Sequence, residues 1–409
     1  MTGERKKLLI VGFSKNQGHR CIEQAKRRDL HISILETKQF FTNNREVTKG
    51  ADILLPMPGK TIPEIQTWLA SANLANDFSY IFTFDELSVE ATALIAKHLG
   101  LAANTPEAIA TVKDKYKLRR ALAKAGLEQP PIQKCSTIEE ARSFFKQEMN
   151  GNAAIIKPRI GLGSEGVSLV RNENDILPAY QNLSEHDKTD FLIEGFVKGA
   201  EYSVEGVFVE KQPIFFGITE KQLLNGTFIE CGHIFPAPLI AATTRKILDA
   251  AKKALHATGL THGLFHMELW VTEAGVVLGE IHARPGGGFI HWLSELSTGI
   301  ETYGSAIDDL MGKNALDKAF FNRKIFGIRY LQVKPGKVTN IASVSDIKTM
   351  ASCIYLHCPL VVGEIVKPIQ NWREREKIGY IIATGKSYDD FNLNIAEIQN
   401  ALAIKTIPI

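Results

Sequence analysis

The sequence predicts an α/β domain followed by a mixed α+β body, and three observations carry that reading. Up to about residue 103, short apolar runs alternate with helix-like stretches, the pattern of a mainly parallel sheet. Beyond Pro131 the order becomes helix, strand, glycine loop, strand. Later, Glu201-Tyr202-Ser203-Val204-Glu205-Gly206-Val207-Phe208 alternates with a two-residue period, as antiparallel half-buried strands do.

In the first region the expected strands are residues 8–12, 31–35, 52–55 and 80–84. Residues 18–28 and 89–99 read as helices, and Pro63 suits the first turn of another running to Leu74. The loop from Gly12 to Gly18 follows the first strand, where ligands of such sheets bind. A basic helix is expected from Thr111 to a stop at Gly126, after which Pro130-Pro131 forces extended chain. From Phe326 the chain again reads as strands, with a closing helix near Phe391 to Leu402. The expected domains are 1–110, 111–320 with a lid at about 131–191, and 321–409.

The 409 residues, 44% of them hydrophobic, suffice for two or three cores. A net charge of +3 gives no electrostatic reason to expect nucleic acid or a membrane surface, so small molecules are the expected partners. The five cysteines are odd in number, scattered and without a C-x-x-C pair, which argues against a disulfide framework or a zinc cluster and for a reducing cytoplasm. No stretch approaches the roughly 20 apolar residues of a membrane-spanning helix.

Gly161-Leu162-Gly163-Ser164-Glu165-Gly166 matches G-x-G-x-x-G. A dinucleotide motif must open a helix, yet this loop leads from one strand into another, Val167-Ser168-Leu169-Val170. A glycine loop between strands suits a flap whose backbone N–H groups close on phosphates; a plain hairpin turn is the alternative. The H-R-D and D-F-G motifs of protein kinases, which also use such a flap, are absent. Gly385-Lys386-Ser387 is no P-loop, because the first glycine of that motif would fall on Tyr380.

The most informative stretch runs from His266 to His282 and reads as a hairpin closed by Glu273-Ala274-Gly275, with Gly275 in a left-handed conformation. In that register Thr272 faces Val276, Glu268 faces Glu280 and His266 faces His282, all four site residues on one face. Met267, Leu269, Val271, Val277 and Ile281 form the other, core face. Opposed carboxylates repel by about 0.2–1 kcal/mol on an open sheet, and a divalent cation reverses the sign of that effect. Two carboxylates without thiolates suit magnesium shared with nucleotide phosphates, against the alternative of two solvated glutamates. His266 and His282 suit a supporting role better than direct ligation. Arg284, two residues on, stays on the same face while the strand lasts, and its guanidinium fork suits a phosphate or acyl phosphate.

With lysine, glycine flap, paired glutamates and arginine in this order, the chain resembles the ATP-grasp superfamily over nearly its whole length. Within it, the resemblance is to carboxylate-amine ligases, nearest to bacterial L-amino-acid ligases that make dipeptides. The resemblance implies an ATP-grasp fold, with ATP and magnesium (or manganese) as cofactors and a homodimer as the assembly. It implies that Lys115 and Lys157 meet ATP phosphates, with Gly161, Gly163, Ser164 and Gly166 as the flap above them. It implies that the strand Phe191-Leu192-Ile193-Glu194-Gly195-Phe196-Val197 reads adenine through the backbone at Glu194 and Val197, and that Glu201 holds the ribose. Glu268 and Glu280 match the metal pair, and Arg284 with Lys157 the catalytic cations. Asparagine often stands in the family where His282 stands here, and Glu230, His233, His282 and Gly287 are the candidates to face the substrates. For Glu230 and His233, in Phe228-Ile229-Glu230-Cys231-Gly232-His233, a structural turn is the alternative.

By the same resemblance, ATP phosphorylates a carboxylate, an amine attacks the acyl phosphate, and ADP and phosphate are released. Two other readings stay open: a formyl-phosphate ligase or carboxylase-like enzyme of the purine-pathway type, and a nucleotide-binding regulator without turnover. The complete set of lysines, glutamates and arginine weighs against the regulator, and a biotin carrier motif is absent.

Overall fold

The computed structural model describes residues 5–71, 74, 77–313 and 324–408. The first sheet is parallel, in the order β3 (Ile53–Met57), β2 (His31–Thr37), β1 (Lys7–Val11), β4 (Tyr80–Phe82). Residues 8–11 of β1 are fully buried because helices cover both faces of the sheet, which is why this strand reads as an unbroken apolar run. Helices Gly18–Lys26 and Val89–Leu99 lie where the pattern places them, the second ended by Gly100 at φ 69°. The helix begun at Ile62 extends to Ser71; residues 72 and 73, on the way to Leu74, lie outside the described residues.

The single helix expected over 111–126 is two, Pro106–Lys113 and Lys115–Lys124. Asp114 separates them: its extended backbone breaks the first, and its side chain accepts hydrogen bonds from the N–H groups of Tyr116 and Lys117 to cap the second. The break puts Lys115 at a helix start, its own N–H bonded to the carbonyl of Arg159, 3.2 Å away.

Next comes an antiparallel sheet in the order β5 (Ile132–Cys135), β8 (Phe191–Gly195), β6 (Ala154–Pro158), β7 (Ser168–Val170), with its own apolar core around Phe144, Ile156 and Phe191. The glycine loop joins β6 to β7, two antiparallel strands, and not a strand to a helix.

The largest sheet has eight strands, all neighbours antiparallel: β13 (Val276–His282), β12 (Leu264–Val271), β9 (Ala200–Val209), β10 (Gln212–Leu223), β11 (Glu230–Phe235), β14 (Ile325–Tyr330), β18 (Tyr380–Gly385) and β16 (Cys353–His357). Through the pairing of β11 with β14 it continues into the C-terminal region, where β15 (Gly336–Asn340), β17 (Ile365–Val366) and β19 (Lys405–Ile407) form a small sheet and Tyr388–Leu402 is the closing helix. Residues 230–233 begin β11 and are no turn. All five cysteines are free.

Candidate active site

The hairpin β12–β13 holds the paired glutamates, with one departure from the pattern. Near its tip Val271 pairs with Val276 and Leu269 with Leu278, so the loop has four residues, Thr272 included, and the register is one place out. Gly275 has φ 154°, positive but not left-handed helical. Between Leu278 and Ile281 lie two residues, Gly279 and Glu280, against one, Glu268, on β12, and this bulge restores the expected pairing of His266 with His282. A Cβ on Gly279 would lie 2.8 Å from the Trp270 ring and 3.0 Å from the Glu268 carbonyl, so the bulge needs glycine. Glu280 therefore shares the place opposite Glu268 with Gly279. The two glutamates share the histidines' face: the two imidazoles stack at 5.7 Å, Glu268 is 3.3 Å from His266 and Glu280 is 3.5 Å from His282. Behind the hairpin, Met267, Leu269, Leu278 and Ile281 pack into the core with the helix Ala241–Thr258.

Three charge clusters surround this pair. In the first, the buried Lys221 of β10 places its ammonium 2.7 Å from Glu201, 2.8 Å from Glu230 and 2.9 Å from Glu268. Burial works against the charge of Lys221, yet Glu230, Glu268 and Glu201 hold its pKa well above the ordinary value. Burial likewise opposes ionisation of Glu268 and Glu230, and Lys221 above all keeps both well below the usual carboxylate range. Glu201, candidate for the ribose, thus shares its lysine with Glu268. Beyond it, His233 is fully buried 3.4 Å from Glu230, and neither of its ring nitrogens makes a hydrogen bond.

The second cluster lies under the flap. Lys115 lies 3.5 Å from Glu280 and donates to the carbonyl of Gly161 at 3.0 Å, so lysine, glycine loop and glutamate pair meet at one point. Lys157 pairs with the carboxylate of Glu194. Glu194 also takes a two-pronged contact from Arg119, at 3.1 and 3.2 Å, and Arg119 reaches on to the carbonyl of Gly279 in the bulge. Burial would raise the pKa of Glu194, but Arg119 and Lys157 draw it down to about 2. The part expected of Glu194 concerned its backbone; its side chain turns out to be the buried counter-charge of Lys157. The ladder of β8 extends to Phe196, which donates to Ala153, and Val197 lies just past it, half-buried.

The third cluster comes from the parallel sheet. Glu86 accepts from His282 at 3.0 Å, from Arg284 at 2.8 Å and from Lys113 at 2.9 Å. β13 ends at His282, so the same-face argument does not reach Arg284, whose guanidinium is turned to Glu86 and to the Pro285 carbonyl. In the flap, Gly163, Ser164 and Gly166 have φ of 67°, 58° and 73°. Its far side meets the helix Trp372–Ile378: Glu165 pairs with Arg373 at 2.6 Å, and Trp372 packs so close that a Cβ on Gly163 would fall 2.7 Å from its indole nitrogen. Gly287 stands in open space beyond Arg284.

Among the described residues no group of three or more His, Cys, Asp or Glu could hold a metal ion by itself. Two part-exposed carboxylates fit an ion that completes its shell with phosphates and water, as magnesium does in nucleotide sites.

Lys221, Arg119 and Glu86 were not found by sequence reasoning. Each belongs to a long-range ion cluster with no local motif; a lysine within an alternating strand, as Lys221 is in β10, was the one available signal.

Residues 151–292 match the ATP-grasp domain family. That segment takes in the glycine loop, the strands β8 to β12 and the hairpin with both glutamates, so an ATP-grasp domain lies at the centre of the chain. The chain is similar to the alanine–anticapsin ligase of Bacillus amyloliquefaciens, with 26% identity over 274 residues, 60% of this chain and 57% of that ligase. The chain thus spans little more than half the length of that relative. The L-amino acid ligase from Bacillus licheniformis matches over all of both chains with a TM-score of 0.77 at 20% identity. Phosphoribosylglycinamide synthetase from Anaerococcus prevotii matches with a TM-score of 0.74 at 18% identity, over 99% of this chain and 100% of that one. These two likenesses concern the fold. No helix among the described residues is long and apolar enough to cross a membrane.

Proposed function

We propose that the chain joins the carboxylate of one amino acid to the amine of another, using ATP with magnesium and releasing ADP and phosphate. The observation that supports this most is the meeting of Lys115, the Gly161 carbonyl and Glu280 at one point, the three groups to which this reading gives the parts of phosphate cation, phosphate flap and metal carboxylate. In this reading residues 1–110 carry part of the substrate site, 111–320 the nucleotide, with 131–191 as lid, and 321–409 close the structure.

Magnesium, held by Glu268 and Glu280, would screen the terminal phosphates as charge moves between them. Lys115 and Lys157 would hold the same phosphates, with Glu194 and Arg119 fixing Lys157 in place. Val197 and the backbone at Glu194 would hold adenine, and Glu201 the ribose. A carboxylate oxygen takes the γ-phosphoryl group as the bond to ADP breaks. The amine nitrogen then bonds to the acyl carbon, phosphate leaves with the electron pair of the broken C–O bond, and the nitrogen loses a proton. Arg284 would steady the acyl phosphate once drawn from Glu86, and the flap would keep water from hydrolysing it. Glu230 and His233 would face the substrates; Glu230 is well placed for an ammonium because it already contacts one, that of Lys221.

The test is a phosphate-release screen of amino acids singly and in pairs, with formate and bicarbonate as controls. The proposal expects ADP and a ligated product only when carboxylate and amine are both present. Turnover confined to formate with a purine-pathway amine would move the chain to another ligase class, and AMP with pyrophosphate would refute the mechanism.

A further inference from the structure

Beside the Glu230–His233 end of the site lies an open recess of about 230 Å³, with four aromatic rings, Phe289, Trp292, Tyr355 and Tyr380, in its wall. The rings brace one another: Phe289 meets Tyr380 at 4.7 Å, Tyr355 stacks on Tyr380 at 6.0 Å, and Trp292 meets Tyr355 edge-on at 6.0 Å. They come from the segment after Arg284 and from the C-terminal half of the large sheet. The link to the centre is short. Phe289 follows Gly288, where a Cβ would fall 2.6 Å from His233 Nε2, and His233 contacts Glu230.

Two features mark the recess as more than leftover space. Phe289 is held at φ 66° and ψ 7°, a left-handed conformation rare for a bulky side chain and retained mostly where the site uses it. Two buried nitrogens on its lining residues, Arg20 Nε and His291 Nε2, have no hydrogen-bond partner, although such groups are nearly always satisfied.

The chemistry of the wall selects the guest. Arg20 already lies over the Trp292 ring at 4.9 Å and pairs with Glu295 at 2.6 Å, so the aromatic wall has its own cation and would repel a second. A flat, uncharged ring fits stacked or edge-on. The volume lies below the roughly 300–1,000 Å³ of pockets that enclose a whole drug-sized ligand, which suits a side chain and not a nucleotide. Arg20 supplies the charge for a carboxylate beside that ring.

We infer that the recess seats the amine-donating amino acid, its aromatic side chain against the wall that Phe289 and Tyr380 form together and its free carboxylate at Arg20. This rests on the ligase reading above, and it adds that aromatic amino acids are the preferred acceptors.

The experiment uses the full chain with Mg-ATP and one fixed carboxylate substrate, varying the amine. Phenylalanine, tyrosine and tryptophan should show a kcat/KM about tenfold or more above alanine. Tyr380→Ala should raise KM about tenfold for the aromatic donors and leave that for alanine within twofold. Arg20→Met should raise KM for phenylalanine far more than for phenethylamine, which lacks the carboxylate. Equal use of all donors, or a Tyr380→Ala effect shared by alanine, would overturn the assignment. A binding measurement separates it from the ligase reading: phenylalanine should change the tryptophan fluorescence saturably, and Trp292→Phe should abolish the change. If no amino-acid pair is ligated, the ligase reading falls; the recess assignment then stands if phenylalanine gives that signal and alanine does not, and falls if neither does.

Discussion

Glu268 and Glu280 each sit between a lysine and a histidine, so the site already supplies positive charge where a metal ion would add more. Glu268→Gln and Glu280→Gln keep the side-chain shape and remove one negative ligand each. Each should lower turnover at least ~100-fold with the circular dichroism spectrum unchanged, and near-normal rates at saturating magnesium would remove both from the metal site. A second prediction concerns His291, whose pKa burial lowers to about 4. A histidine kept neutral in the fold binds its proton in the unfolded chain first, at about pH 6.5, so stability is full above that value and falls as pH drops toward 4. The loss should approach ~3 kcal/mol, and urea unfolding of wild type and His291→Gln at pH 7.5 and 5 should show the smaller pH dependence in the variant. The residues that carry motifs, the glycine loop and the hairpin pair, were legible in the sequence. Lys221 was not, because its three carboxylates come from positions 201, 230 and 268 and only the folded sheet brings them together.

Among the elements, the hairpin was legible where its period of two is unbroken, and the histidine pair came out as counted. Its register toward the tip slipped one place because Gly279 adds one residue in a bulge, and an isolated glycine within a strand pattern was the available sign. The helix over 111–126 misled for a related reason: Asp114 keeps the apolar spacing continuous on paper while its side chain caps a new helix. The flap element yields a third prediction. It is light in side chains, and its outer contacts are to Trp372 and Arg373. Limited proteolysis should cut near Gly163 in the free protein, and ATP with magnesium should slow that cleavage several-fold. Cleavage indifferent to nucleotide would tell against a phosphate flap.

On the scale of the molecule, the parallel sheet is tied to the body by a shared apolar cluster, in which Ile10 and Phe84 join Val207 and Tyr303, and by ions at its rim. Arg28, on the turn after helix Gly18–Lys26, contacts Glu301 at 2.6 Å and both carboxylate oxygens of Asp308. Arg28→Ala takes the guanidinium from the partly exposed Asp308 and leaves Glu301 to Arg27 alone, and it should cost about 1–3 kcal/mol in denaturant unfolding, with the effect shrinking at high salt. That the first sheet is parallel could be expected from alternation alone, but the eight-stranded sheet could not, since β11 pairs with β14 across some ninety residues that no local pattern connects. That pairing bears on any shortened form of the chain. Ending it at residue 320 would strip β14 from β11 and leave the N–H and carbonyl groups of Gly232 to Phe235 facing water along an open border. Fully buried Ile234 and Phe235 would lose cover with them. Such a piece should self-associate through that border, visible as a concentration-dependent shift in light scattering, whereas the full chain should show no such shift from this strand.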